Sequence, residues 1–541
     1  MKKEIESKNQ KPMSDQEALA VAAFLVVLLA ALWVYKNESA IERFYFNNFE
    51  MIYLGGYLLV LGVVGFLIYS LKKGTKKLRQ RANLLIPLSQ REKGGIPIGK
   101  THDKLPLYLS SEARCSHVQI IGSTGRGKTH SLVVPWILRD LKLGTPVVLI
   151  DGKGSPDVPE SIKKWSSQFF CPPRILEFDL ANPENSIRVN PLANGSSQQI
   201  TDRIFAAFDF EDAYYRSVQY DICGYLVRLI KDSDEVVTFK RLYELLTDDN
   251  KLSEAIAGMR NWPHFKFIDS YLRESRSERS KKMAGLISQL SPFAVGEVAD
   301  LVNAIPRPKD DYDIFVSTEE AERNVILSQL VIDQQFKDFE GGYHNFAIVF
   351  SIPTLIYQKM GHQLGKLLLQ ELAWAIGERE KLKRKKFTSV FLDEFSEFVY
   401  EGFVSVLNKA RSTQVALHLS HQSLGDLSRV SEDFATSVNT NTNIKCLLGL
   451  NDPVTSDFFA KHIGTKSSEK FTKQMRQEGI LSGYDPTGQA SLREVESYKV
   501  HPNTLKEFYN GSGVIHLPTK YGVVSEVIQF EPFSVREVTG W

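Results

Sequence analysis

The chain has 541 residues, with 66 lysines and arginines against 64 aspartates and glutamates, a formal net charge of +2 at pH 7. So small an excess excludes a wholesale basic coat for nucleic acid and leaves room only for a local patch or a lined channel. The four cysteines, Cys115, Cys171, Cys223 and Cys446, are too scattered for metal-ligand spacing. They fit a reducing cytoplasmic setting, in which cysteine behaves as a small hydrophobe.

The first elements are two uncharged apolar stretches, 18–35 and 51–71. As helix, the first spans about 27 Å, close to the roughly 30 Å hydrocarbon core of a bilayer. Gly55, Gly56, Gly62 and Gly65 in the second offer small surfaces for helix packing. No small-residue cleavage site clearly follows the first stretch, so it reads as a retained anchor rather than a signal peptide. Lys2, Lys3, Lys8 and Lys11 precede the pair, and Lys72, Lys73, Lys76, Lys77, Arg79 and Arg81 follow it. The connection between them has Lys36 and Arg43 against Glu38, Glu42 and Glu50. The positive-inside rule therefore expects a two-helix transmembrane hairpin over 1–81 with both termini cytoplasmic, and the basic run can touch anionic lipid heads.

Residues 82–195 read as the first part of a nucleotide-binding domain. His117–Ile121 is an apolar, β-branched run expected to be a buried strand. It leads into Gly122-Ser123-Thr124-Gly125-Arg126-Gly127-Lys128-Thr129, which satisfies G-x-x-x-x-G-K-[ST]. The chemistry needs this pattern: glycines let the backbone N–H groups curl onto the phosphates of ATP, Lys128 reaches the β- and γ-phosphates, and the Thr129 hydroxyl holds Mg²⁺. A helix is expected from Thr129 to Leu141, its N-terminus facing the phosphates. Pro146–Asp151 and Arg174–Asp179 read as further strands of a mostly parallel sheet.

From 196 to 308 the strand signals vanish. Amphipathic patterns at Ile200–Asp209, Tyr214–Lys231, Phe239–Leu246 and Lys281–Leu290 imply an inserted all-α domain. Its Arg273, Arg276, Arg279, Lys281 and Lys282 form a basic cluster that reads first as a solvated helix face and second as a phosphate contact.

The α/β pattern resumes over 309–541. Asn345–Phe350 reads as a strand and Leu364–Arg379 as a helix, followed by a solvated basic loop at Lys381–Lys386. Ser389-Val-Phe-Leu-Asp393-Glu394 is an apolar strand ending in two carboxylates. Beside the loop, Asp393 can hold the Mg²⁺ shell and Glu394 can polarise the attacking water. Thr413–Leu419 reads as a strand running out at His421-Gln422, with later strands at Asn443–Leu450 and Gly513–Leu517.

Assembled in this order, the chain resembles the type IV coupling proteins, the membrane-anchored ATPases of conjugation and type IV secretion within the FtsK/HerA group of RecA-like motors. Pro135 in the helix after the loop, Asp151-Gly-Lys153-Gly, Asn190-Pro-Leu192 ahead of the insertion, the Asp393-Glu394 pair and Gln422 carry the likeness. The resemblance implies an α/β RecA-like P-loop NTPase core at the inner membrane. It implies a homo-hexamer around a channel, with DNA and relaxase or relaxosome proteins, or protein substrates, passed to secretion channel components. It gives Gln422 the role of sensing the γ-phosphate or positioning water, against a strand-end glutamine bonded only to backbone. Arg411 is the candidate for the cation a neighbouring subunit supplies, against a surface salt bridge. An FtsK-like duplex DNA pump and a nucleotide-gated docking receptor are the alternatives. The family often has a long acidic C-terminal tail, and this chain stops soon after its last strands, which puts recruitment through such a tail in doubt.

Overall fold

The computed structural model describes residues 95–537 apart from 211, 306–321, 339–341, 478–483, 520 and 535–536, together with 58–66, 69, 85 and 89; within 469–493 it describes backbone alone. The apolar runs picked out above become strands of one 11-stranded sheet. In chain order the strands are β1 (Ile96–Thr101), β2 (Pro106–Leu109), β3 (Val118–Ile121), β4 (Val147–Asp151), β5 (Arg174–Asp179), β6 (Phe336–Lys337), β7 (Tyr343–His344), β8 (Phe346–Ser351), β9 (Thr388–Asp393), β10 (Val415–His421), β11 (Ile444–Leu447), β12 (Thr465–Gln477), β13 (Tyr484–Tyr498), β14 (Ser512–Thr519) and β15 (Gly522–Phe530). The sheet order is β2-β1-β15-β14-β11-β3-β10-β9-β4-β8-β5.

From β11 to β5 neighbouring strands are parallel. The β14, β15, β1 and β2 edge is antiparallel. Every residue of β3, β4, β8, β9 and β10 is buried. That is why these strands read as continuous apolar runs: helices cover both faces, so no face alternates with water. β1, β2 and β15 carry no such run, because their burial is broken and Gly99 and Pro97 interrupt the pattern. Among the described residues β12 and β13 pair only with each other, as a long two-stranded ribbon.

The helix after the P-loop departs from expectation in its first turn, which is a π-turn, Thr129–Val133, before the α-helix Val134–Lys142. Pro135 has no N–H to donate to the preceding turn, and a locally wider turn accommodates that loss.

The helical stretch comprises Ser197–Ala207, Ala213–Asp232, Phe239–Thr247, Asp249–Ala257, Phe265–Arg273 and Arg276–Ala294, with a short Ala299–Val302. Side-chain caps fix most of the starts: Ser196, Asp212, Thr238, Asp248 and Ser275 each accept a backbone N–H of the first turn. One apolar cluster runs from Val148 and Ile150 of the sheet through Ile200 and Leu226 to Phe293. The helices thus share the core of the sheet. The basic cluster is largely neutralised in place, because Arg279 meets Asp249, Lys282 meets Glu274 and Arg273 meets Asp269. The 381–386 loop is not simply solvated either: Lys381 pairs with Glu378 and Lys385 with Glu380.

The chain divides into two units, Met1–Ala82 and Asn83–Trp541. In the first, residues 58–66 and 69 are helical, with Leu58, Leu59, Val60 and Phe66 exposed. The rest of the expected spans 18–35 and 51–71 lies outside the described residues. Among the described residues no helix is long and apolar enough to cross a membrane. Three cysteines are buried as expected; Cys171 is exposed, beside the fully exposed Phe170.

Candidate active site

β3 delivers the loop at the carboxyl end of the sheet. A side chain at Gly122 would place its Cβ 2.9 Å from that of Leu448, so the loop's entry requires glycine. Gly125 and Gly127 have φ of +77° and +84°, which only glycine adopts without strain. The space over Gly125 is open. Among the described residues the N–H groups of Thr124, Gly125 and Gly127 have no backbone partner, as a cradle for phosphate oxygens requires. Lys128 is buried and its Nζ donates to the Gly122 carbonyl at 2.8 Å, a bond that an incoming anion can replace.

The neighbouring strands bring the acidic pair to the same place. Thr129 Oγ1 donates to Asp393 Oδ2 at 2.8 Å. On β4, Asp151 stands in register with Asp393. Asp151 takes the backbone N–H groups of Lys153 and Ser155 at 2.9 and 3.1 Å, so its partner is the Lys153 amide and not the ammonium. Burial first, then the neighbouring Asp393 charge, pushes the Asp151 carboxyl up to about 6. Two carboxylates and a hydroxyl side by side suit a hard cation that keeps part of its water shell, as Mg²⁺ does. Among the described residues no group of three or more His, Cys, Asp or Glu forms a closed metal cage.

Glu394 follows β9 directly, in a left-handed conformation, φ 49°. Burial raises its carboxyl above the usual range, with the Lys128 charge opposing. Gln422, at the tip of β10, joins the two halves: its Nε2 donates to Glu394 Oε2 at 3.2 Å and its Oε1 accepts from Thr124 Oγ1 at 2.8 Å. Its side chain is thus committed to the site and not to backbone. Asp426 accepts the N–H groups of Gln422 and Ser423 at 3.0 and 2.8 Å, a residue signalled by the capping spacing Ser423-x-x-Asp426.

Arg411 is not brought to this group. It opens the turn before β10, at the opposite end of the sheet, beside His117, Asn408 and Asn443 around a cavity of ≈ 180 Å³. The seven residues of β10 separate it from Gln422 by roughly 20 Å. Arg126, a loop member, turns away from the cradle. Its guanidinium donates to the Phe508 carbonyl and to Asn451 Oδ1 at 3.2 and 3.1 Å. Ser123 also bonds Gly449 and Asn451. These supporting residues come from the far end of the chain, where no local pattern marked them. Asn190 bonds the Leu192 N–H and the Val237 carbonyl, tying its turn to the helical stretch.

Residues 388–505 match the family described as the TraM recognition site of TraD and TraG. It is similar to the type IV coupling proteins. The type 4 coupling protein DotL of Legionella pneumophila is 23% identical over 475 residues, covering 76% of this chain and 57% of DotL. The chain therefore spans little more than half of that relative. Among solved structures, the unbound bacterial conjugative coupling protein TrwBdeltaN70 superposes with a TM-score of 0.55 at 14% identity, covering 84% of this chain and 92% of that one. TrwB in complex with ADP and Mg²⁺ gives 0.53 at 13% identity, covering 84% and 93%. The core is thus a RecA-like P-loop fold of the TrwB kind.

Proposed function

We propose that this chain is an ATP-hydrolysing coupling protein of a type IV secretion or conjugation system. The observation that carries the reading is the bridge Thr124–Gln422–Glu394 beside the Thr129–Asp393 contact, in which three strands converge on the phosphate loop. When bound, Mg²⁺–ATP supplies the phosphoryl group and a neutralising cation. Around it, Lys128 would release the Gly122 carbonyl to meet phosphate oxygens, and Thr129 and Asp393 would hold the metal's oxygen shell. Glu394 accepts the proton of the attacking water, and Gln422 orients that water against Thr124.

The nucleotide assignment is supported by the backbone cradle and by TrwB, which has been solved with ADP and Mg²⁺. The wider reading rests on resemblance: a homo-hexamer at the inner membrane, held by the hairpin at 18–35 and 51–71, passing DNA–relaxase or protein substrates to the secretion channel. Arg411 then serves only a neighbour's site, because its own lies at the other end of the sheet.

The test is ATP turnover of the full chain in lipid vesicles, with and without single-stranded or duplex DNA. Turnover that DNA stimulates and that Lys128→Ala and Glu394→Gln abolish supports the motor. Cargo delivery that survives Glu394→Gln but not Lys128→Ala sinks it in favour of a nucleotide-gated receptor.

A further inference from the structure

Beneath the tip of β10 lies a run of buried polar side chains that the hydrolysis scheme does not use. Gln119 occupies the middle of β3, where the pattern asks for an apolar residue, and is fully buried. His421 on β10 is fully buried as well, and Lys445 on β11, the register partner of Gln119, is 1% exposed. Buried polar groups in such numbers are expensive unless each donor and acceptor is matched.

Here the partners fix the proton positions of His421 and Gln119. His421 Nδ1 lies 2.8 Å from the Ser423 carbonyl, which can only accept, so Nδ1 carries the hydrogen. Nε2 is then an acceptor and receives Gln119 Nε2–H at 2.8 Å. The second hydrogen of the same amide goes to Asn439 Oδ1 at 2.9 Å. Gln119 Oε1 in turn accepts from Lys445 Nζ at 2.7 Å, while the Thr442 hydroxyl, 3.1 Å away, donates its hydrogen to the Val438 carbonyl at 2.7 Å. Lys445 also donates to the Asn439 carbonyl and Thr442 Oγ1, both at 2.7 Å. Burial lowers the His421 ring to about 4, so it stays neutral and keeps this tautomer near neutral pH.

The ends of the chain explain its purpose. His421 grips the carbonyl of Ser423, and Asp426 grips the N–H groups of Gln422 and Ser423. The peptide that carries Gln422 is therefore clamped from both sides. We infer that Gln119, His421 and Lys445, with Asn439, are positioning residues for hydrolysis, holding the 421–423 backbone so that Gln422 faces Glu394 and Thr124. This rests on the role given to Gln422 above.

The experiment is a double-mutant cycle on the steady-state ATP turnover of the full-length chain, with melting temperature and affinity for a non-hydrolysable ATP analogue as controls. Gln119→Leu is expected to lower kcat about tenfold with KM within about twofold, the mark of an interaction felt in the transition state. Combined with Gln422→Ala, it is expected to add nothing to the loss of Gln422→Ala alone. Where Gln119→Leu does not fold, Asn439→Ala carries the test. Asn439 lines a groove of ≈ 980 Å³, so its truncation leaves room for water, and an about threefold kcat loss is expected. Additive losses, a change in KM alone, or unchanged kcat overturn the inference and reduce the chain to core packing. If Gln422→Ala itself leaves kcat unchanged, the inference falls while hydrolysis by Lys128 and Glu394 stands. If Lys128→Ala and Glu394→Gln leave turnover intact, it is the hydrolysis reading that falls, and the inference with it.

Discussion

The two ends of the parallel sheet solve opposite problems. At the amino end, Arg114 and Asp140 form a bidentate ion pair, both bonds 2.6 Å and both side chains essentially unexposed. Ser389 bonds both partners, and His418 Nε2 accepts the Arg114 Nε–H. Arg379, fully buried nearby, is satisfied by the carbonyls of Val331, Lys386 and Thr413. At the carboxyl end, Lys128 holds one carbonyl, Asp151 and Asp393 lie side by side, and among the described residues the N–H groups of Thr124, Gly125 and Gly127 have no backbone partner. Closed networks of charge make a fixed base. Incompletely satisfied ones make a site, because a ligand can supply what is missing at little cost in broken bonds.

The sharpest way to break the comparison is Asp140→Ala. An uncompensated buried Arg114 is expected to cost about 3–5 kcal/mol in urea unfolding, with analogue affinity of the folded fraction unchanged. A loss below about 1 kcal/mol means that the amino end is open to water and the contrast fails. Next is Lys128→Ala, expected to lower ATP turnover about a hundredfold or more while changing the melting temperature little, since its one hydrogen bond is to the Gly122 carbonyl and Glu394 can take up a proton when the opposing charge is lost. A large drop in melting temperature would make Lys128 a structural residue.

The pH profile gives the third. In the proposed mechanism Glu394 works ionised, and burial raises its pKa. The acid limb of kcat/KM therefore lies above the ordinary glutamate value of 4.5, and it disappears from the residual activity of Glu394→Gln. The stability effect has the opposite sense: protonated Glu394 stabilises the fold below its unfolded pKa, and that stability is lost as pH rises through the raised folded value. Glu394→Gln is thus expected to melt no lower than the parent at neutral pH. The smallest effect belongs to Thr124→Val, which removes one neutral hydrogen bond to Gln422. A kcat loss of about threefold is expected, and none at all would detach Thr124 from the site.

Much of the fold was legible because burial on both faces leaves β3, β4, β8, β9 and β10 as plain apolar runs. The half-covered antiparallel edge, β1, β2 and β15, mixes polar and apolar residues and was not. Gln119, His421 and Lys445 look like interruptions in otherwise apolar strands, and only their convergence across β3, β10 and β11 turns them into one network.

The sequence by itself determined the chemistry of the site: a loop whose glycines, lysine and threonine stand at fixed spacing, and strands that end in Asp393-Glu394 and Gln422. Those are local properties, set by what a short backbone stretch can do. The tertiary structure alone decided that Gln422 bridges Glu394 and Thr124, that Arg126 turns to Phe508 and Asn451, and that Arg411 sits at the far end of the sheet. Those outcomes depend on strand order and register, which bring together residues hundreds of positions apart and leave no trace in either neighbourhood.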